Sequence, residues 1–440
     1  LLAGDRPRAD GAGPSMSTLD AIVIGAGTAG VTAARALARD GCAVAVVEGR
    51  ERIGGRLFSV RDFCGAPLEG GAEFVHTGDA EIWPEVRAAG LVVRPCPLAR
   101  NSMFNIGGRT RWLPWILLHP GVWPSFPILR QIRRVGPDDM SARQFIERHG
   151  FRGRARVMAE MTLTAHLPGG LDDVGVMGLR EDRVLHLETG SYHRIVDGYD
   201  RLTAYIGGGL DIRLGCAVHT IRWARDGASV ITGDGRELAA RAVVSTLPLG
   251  VLKAGAVRFV PELPESKRAA MQRLEMGPVL KILLHFREPF WPRWLTNLGC
   301  GTGPVTLYWP VFYGAADMPA ALTAYCTGPR AARLSQLREE QALDVVLDDL
   351  RRLFPRAEPR RALLAWRRID WTTDPFSCGG YTFIRPGGTG ARALLTAADT
   401  GALFWAGAAT ATPTIADTVQ AAYLSGLRAA DEVRAYLGAQ

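Results

Sequence analysis

A short apolar run at residues 21–24 leads directly into Gly25-Ala26-Gly27-Thr28-Ala29-Gly30, and residues 28–40 follow with alanine, leucine and arginine at helical spacing. Such a passage predicts a strand, a tight turn and a helix. Gly41 ends the helix, and a second apolar run at 42–47 stops at Glu48. The whole closes a βαβ unit of about thirty residues, which requires a parallel sheet and so an α/β fold for this part of the chain. In such a unit the first glycine permits the turn, the second lets backbone approach a pyrophosphate, and the third lets helix and strand pack closely. Phosphate is favoured at the helix start, where unpaired N–H groups and the dipole meet negative charge. Glu48, at the end of the second strand, is placed to accept hydrogen bonds from an adenosine ribose. Gly25, Gly27, Gly30 and Glu48 are therefore candidate dinucleotide ligands.

The 440 residues suffice for two or three domains. Residues 83–180 change character to tryptophan, proline and amphipathic helix, as at 141–159, without strand alternation, and read as a helical insertion. Strand-like runs resume at 211–218, 229–232 and 242–246, with Asp234-Gly235 as a hairpin turn between the last two. Residues 261–386 read as irregular apart from a strand at 279–286 and an amphipathic helix at 335–353. A strand, a glycine-containing turn and a long helix fill 403–437.

Composition narrows the function. The net charge is +8, but only three of the 52 basic residues are lysines, and the arginines are spread along the chain without a dense basic run beside aromatics. Nucleic-acid binding has no motif to rest on. Seven widely spaced cysteines, an odd number without a CxxC pair, read as reduced thiols in a reducing, cytoplasmic setting. The eight histidines show no metal-binding spacing. Residues 1–16 lack the apolar core of a signal peptide and read as a disordered leader, with Met16 a candidate start. No run reaches the roughly 18 apolar residues of a membrane span. The nearest, 112–129, is broken by Pro114, Pro120, Pro124 and Pro127, and reads either as core or as a lipid-facing entrance.

Further blocks extend the pattern: Arg52-Ile53-Gly54-Gly55-Arg56, then 68–76 (Leu-Glu-Gly-Gly-Ala-Glu-Phe-Val-His), then 243–252 (Val-Val-Ser-Thr-Leu-Pro-Leu-Gly-Val-Leu) and Phe290-Trp291-Pro292. Trp371, Asp374-Pro375, Gly380-Tyr381, Trp405-Ala406-Gly407 and Ala422-Tyr423-Leu424-Ser425-Gly426 follow in order. Together they resemble the flavin-containing amine oxidase family, which includes monoamine oxidases, polyamine oxidases and flavin histone demethylases. The resemblance implies a Rossmann-type, GR2-like FAD-binding domain from residues 17–85, 190–262 and 395–440, and an inserted α+β substrate domain from 86–189 and 263–394. It also implies cofactor contacts at Gly55, Arg56, Gly71, Ala72, Glu73, Val218, Trp371, Gly407, Ala408 and Thr418, beside those already named.

Three residues carry the implied chemistry. Lys281 lies in an apolar strand, where a charge needs solvent or a partner; in the family the matching lysine holds a water near the flavin N5, while the bland alternative is a lysine snorkelling to solvent. His76 faces the substrate channel by resemblance to polyamine oxidases, and Tyr381 matches one wall of an aromatic pair that flanks the amine. Glu73 is read either as a contact for a second substrate cation or as an acid bonded to backbone. The chain also departs from the family. Gly380 stands where monoamine oxidases tether flavin through cysteine, and Cys378 is displaced, so FAD is expected to be non-covalent. Ala408 and Ala409 replace the turn glutamate, and Thr418 stands near the second aromatic wall. The expected reaction takes a hydride from a carbon beside nitrogen to give an imine, with O2 reduced to H2O2. A polyamine or diamine is the first expected substrate, then a monoamine, then an L-amino acid. An FAD-dependent desaturase or isomerase of a hydrophobic substrate and a non-catalytic FAD-binding subunit are the alternatives. A homodimer is also expected.

Overall fold

The computed structural model describes residues 19–76, 80–97, 101–136, 138–164, 168–183, 191–315, 317–398, 401–411 and 416–439; the leader expected at 1–16 lies outside them. An eight-stranded sheet forms around the strand Leu19–Ile24, which pairs in parallel with Val44–Val47 on one side and Glu237–Ser245 on the other. Asp211–Arg213 extends one edge, while Ala228–Thr232, Val218–Trp223 and Arg258–Val260 extend the other. Leu403–Trp405 pairs in parallel with Glu237–Ser245. Ile22, Val23, Val46, Val243 and Val244 are fully buried, which is why these strands read as unbroken apolar runs: helices or sheet cover both faces. The helix Thr28–Arg39 packs against the last helix, Val419–Gly438. A side chain at Gly426 would come within 2.4 Å of the Ala29 carbonyl, so the two helices touch backbone to backbone there.

A second, seven-stranded sheet runs Leu363–Asp370, Val279–Phe286, Ala320–Thr327, Leu307–Pro310, Asn297–Cys300, Ser102–Ile106, Arg109–Trp112. One face of Val279–Phe286 (Leu280, Ile282, Leu284, Phe286) is buried under the helices Gly328–Ser335 and Glu339–Leu353. The latter carries Glu339 and Glu340 in its first turn and Arg351 and Arg352 in its last, matching the helix dipole. The opposite face of the strand Val279–Phe286 turns Lys281 toward Glu69, Gly71 and Glu73.

Four expectations are corrected. Residues 83–180 are not purely helical: Val93–Cys96, Ser102–Ile106 and Arg109–Trp112 are strands, and Ser102–Ile106 finds its parallel partner in Asn297–Cys300, far along the chain. Local alternation is weak because that remote pairing supplies the strand. Residues 141–159 form two helices, Ala142–Arg148 and Gly153–Thr164, since Gly150 takes a left-handed φ of +67° between them. Likewise 211–218 breaks at Gly215 (φ +64°), separating Asp211–Arg213 from Val218–Trp223. The block 261–386, read as irregular, supplies most of the second sheet.

Candidate active site

A single cavity of about 580 Å³ reaches from the glycine turn to the second sheet, and of the residues singled out from sequence all but Gly30 line it. At the turn, Gly25 has a φ of +100° and donates to Val47 O at 2.7 Å. A Cβ on Gly30 would fall 1.9 Å from the Gly25 carbonyl, so this glycine serves the turn itself. Gly27 is different: a Cβ there would meet nothing closer than 3.9 Å, and would project into open cavity. It precedes the helix Thr28–Arg39, whose first turn has neither a side-chain cap nor an acidic residue. The free N–H groups there suit an anion.

Glu48 is buried, its Oε2 accepting from Ala26 N at 2.8 Å and its Oε1 from Arg50 N at 2.9 Å. Each oxygen keeps a lone pair for a hydroxyl group. Val218 borders the same end, at a register shift between Val218 and Thr220. Gly55 is left-handed (φ +56°), and a side chain on Gly71 would strike the Arg56 carbonyl at 1.9 Å. Arg56 donates to Gly380 O at 2.6 Å, and Ala72 N donates to Arg56 O at 3.1 Å. Trp371 donates its indole N–H to Gly70 O at 2.9 Å. Gly407 N donates to Ser425 Oγ at 2.9 Å, and Thr418 caps the last helix by accepting from Ala421 N at 3.1 Å. Ala408 and Thr418 thus bring a second helix start, capped at Ala421 N, to the edge of the cavity. A buried acid, a glycine whose missing side chain leaves room only for a ligand, and two helix starts fit a dinucleotide with its ribose at Glu48.

Covalent attachment does not fit. A Cβ on Gly380 would lie 2.2 Å from Val279 Cγ2, leaving no room for a cysteine there, and Cys378, which does not line the cavity, is engaged through its Sγ with Pro375 O at 3.7 Å.

At the far end Lys281 is buried, overturning the snorkelling alternative. Its Nζ donates to Glu69 O (3.0 Å), Gly71 O (2.8 Å) and Glu73 Oε2 (3.1 Å), and lies 5.2 Å over the Trp309 ring. Glu73 is neither bonded to backbone nor free for a substrate cation: Trp309 Nε1 donates to both its oxygens at 3.0 Å, and Arg194 lies 3.0 Å from Oε1. Burial pushes the neighbouring Glu69 carboxyl up to about 8, against hydrogen bonds from Tyr199 N and Ser59. His76 is half-buried and meets Tyr192 edge to face at 5.2 Å. The Tyr381 hydroxyl bonds the Tyr325 hydroxyl, and burial raises both phenols above their usual range, keeping them neutral.

Sequence reasoning missed much of this end. Phe74, Tyr192, Trp309 and Tyr325 join Tyr381 and His76 to give an aromatic wall. Trp309 and Tyr325 come from strands Leu307–Pro310 and Ala320–Thr327 in the block read as irregular, with their ring centroids 5.2 Å apart. The only local signal is aromatic density in Leu307-Tyr308-Trp309. Also missed were Asp182 and Asp417, which line the cavity and share the fully buried Arg392: Asp182 pairs with it through both oxygens, one contact at 2.8 Å, while Asp417 Oδ2 lies 3.4 Å away. Asp417 sits at a left-handed φ of +55° and accepts from Thr382. Its Oδ1 is buried and has no hydrogen bond from protein, Arg56 lying 3.5 Å off.

Residues 28–434 match the family described as flavin containing amine oxidoreductase. Polyamine oxidase 4 of Oryza sativa subsp. japonica is 31% identical over 94% of this chain and 88% of its own length. Among solved structures, cyclohexylamine oxidase from Brevibacterium oxydans superposes with a TM-score of 0.84 at 20% identity, covering 96% of this chain and 100% of that one. A putrescine oxidase bound to putrescine gives 0.83 at 20%, covering 95% and 99%. With the dinucleotide cradle, the lysine and the aromatic wall in one cavity, the chain belongs to the flavin-containing amine oxidoreductases and is an FAD-dependent oxidoreductase acting on amines.

Proposed function

We propose that the substrate is a polyamine or diamine, oxidised at a carbon beside one nitrogen. The observation that carries this reading is Asp417, a cavity-lining residue with a buried carboxylate oxygen that accepts no hydrogen bond from protein and has Arg56 beside it at 3.5 Å. A second ammonium group of the substrate fills that need. The similarity to polyamine oxidase 4 supports it. An amino-acid substrate is disfavoured, because the arginines lining the cavity are Arg50 and Arg56, and both are committed: Arg50 to Asp374 at 2.6 and 2.7 Å, Arg56 to Gly380 and Asp417.

In this reading residues 17–85, 190–262 and 395–440 hold the cofactor, and 86–189 with 263–394 shape the substrate chamber. FAD when bound supplies the hydride acceptor and hands electrons to O2. Gly25, Gly27, Glu48, Val218, Arg56 and Ala408 hold it. The rings of Tyr381, Tyr325 and Trp309 exclude water and orient the reacting nitrogen, their faces favouring an amine over hydration. Lys281, fixed by Glu73 and two carbonyls, lines the end of the chamber, where it would orient the water that takes up the proton given up by the substrate nitrogen. His76 borders the chamber and positions the rest of the chain. Seven free thiols support a reducing, cytoplasmic setting.

Anaerobic mixing of the yellow protein with polyamines, diamines, monoamines and amino acids, followed by flavin absorbance, tests this. Bleaching by polyamines or diamines is expected. Bleaching only by monoamines or amino acids overturns the substrate class, and no bleaching by any amine overturns the reading as a whole.

A further inference from the structure

The stretch 112–129 was read from sequence as core or as a lipid-facing entrance, and the structure divides it into an inner and an outer side. The edge strand Arg109–Trp112 turns into the short helix Leu113–Leu117 and the 3-10 turn Pro120–Ser125. Ile116, Val122 and Ile128 face inward and are buried. Outward point Trp115 (63% exposed), Leu118 (68%) and Trp123 (52%), with Leu117, Phe126 and Trp112 beside them. Trp294, also exposed, lies with its ring 5.8 Å from that of Trp112, tilted at 57°, and continues the patch. Trp123 satisfies its indole N–H on Leu117 O at 2.8 Å, so its ring offers an apolar face. Contiguous large apolar exposure of this kind is unusual on a surface that meets only water.

Charge identifies the occupant. From Gly107 to Pro137 there is no Asp or Glu, while Arg109, Arg111, Arg130, Arg133 and Arg134 are all exposed. Tryptophan and leucine flanked by arginine, with no acid, match a bilayer interface, where indoles settle at headgroup level and guanidinium groups meet lipid phosphate. Among the described residues no helix is long and apolar enough to span a membrane, so contact is from one side.

We propose that this face docks the enzyme on the surface of an anionic lipid bilayer, with Trp115, Leu118 and Trp123 inserted at headgroup depth and the flanking arginines on phosphate.

Flotation of the flavin-loaded enzyme with vesicles tests this, using phosphatidylcholine alone against an equal mixture with phosphatidylglycerol. Binding at least about tenfold stronger to the anionic vesicles is expected, most of it lost at about 0.5 M salt. The double variant W115S/L118S should bind about tenfold less, as should R109E/R111E, with amine oxidation in vesicle-free buffer unchanged for both. Equal binding of wild type to both vesicle types, or none to either, overturns the proposal. So does a wild-type dimer in vesicle-free solution that W115S/L118S converts to monomer, because a second copy would then be the occupant.

Discussion

Lys281 Nζ lies 3.1 Å from Glu73 Oε2, and the pair ties the strand Val279–Phe286 of one sheet to the segment after Glu69 that borders the cofactor cradle of the other. Among the described residues the lysine has no other acidic partner within bonding distance; its other hydrogen bonds go to the Glu69 and Gly71 carbonyls. Lys281→Met removes all three donors while leaving Glu73 to Arg194 and Trp309. Stopped-flow measurement should show flavin reduction or reoxidation slowed by about a hundredfold, the scale of a lost general acid or base, with FAD still bound. Unchanged rates in both half-reactions would refute the role.

Gly27 separates cofactor binding from folding. Because a Cβ there meets no protein atom closer than 3.9 Å, Gly27→Val leaves the turn intact but fills the cradle. The purified variant should keep its circular dichroism and lose its flavin absorbance. Gly30→Ala, by contrast, drives a methyl into the Gly25 carbonyl and should lower both.

Asp417→Asn tests the second ammonium contact. Asparagine tolerates the left-handed backbone that Asp417 occupies, and Asp182 keeps its two-oxygen pairing with Arg392, so the variant should fold with some loss of stability, and the comparison is made between substrates on the folded protein. The kcat/KM for diamines is expected to fall about tenfold, the scale of one charge-assisted hydrogen bond, while monoamines change by less than about threefold. An equal effect on both would count against a second recognised nitrogen.

Arg392 is fully buried between Asp182 and Asp417. Asp182→Asn leaves that guanidinium short of counter-charge and is expected to destabilise the protein by about 3–5 kcal/mol, measured by denaturant unfolding of the flavin-loaded enzyme. A loss under about 1 kcal/mol would mean that Asp417 alone suffices.

Glu69 sets a pH dependence. Its carboxyl is raised from 4.5 to about 8 because burial disfavours its charge. The folded chain therefore holds a proton that the unfolded chain releases, so this contribution is complete below about 4.5 and declines as pH rises to about 8. The thermal midpoint should fall over that interval, and Glu69→Gln, whose amide stays neutral throughout, should flatten the slope. Identical slopes would show that other groups dominate.

The cofactor end was legible because its chemistry is local. Gly25, Gly27 and Gly30 sit within six residues of one another, and Glu48 ends the next strand. The substrate end was legible only in part. Lys281 stood out as a charge within an apolar strand, but its partner Glu73 is some 200 residues away. Trp309 and Tyr325 reach the chamber through strand pairings, such as Lys281 with Tyr325, that leave no periodicity behind, while Asp182, at the end of the helix Val176–Glu181, and Asp417, just before the last helix, meet only at Arg392. The strand Ser102–Ile106 was hidden for the same reason.

The close contact of Gly426 with Ala29 binds the two ends of the chain into a single decision. The helix that begins the cofactor cradle and the helix that finishes it both open onto one ligand, so each is held from the side by a neighbour synthesised nearly four hundred residues apart. On a ribosome the glycine turn emerges long before residues 419–438 and stays without their lateral support until they too leave the tunnel, a long-range closure of the kind that slows folding. Capture of flavin then acts as a late lock on the assembled whole, because a ligand bound only by the completed fold draws the equilibrium toward it.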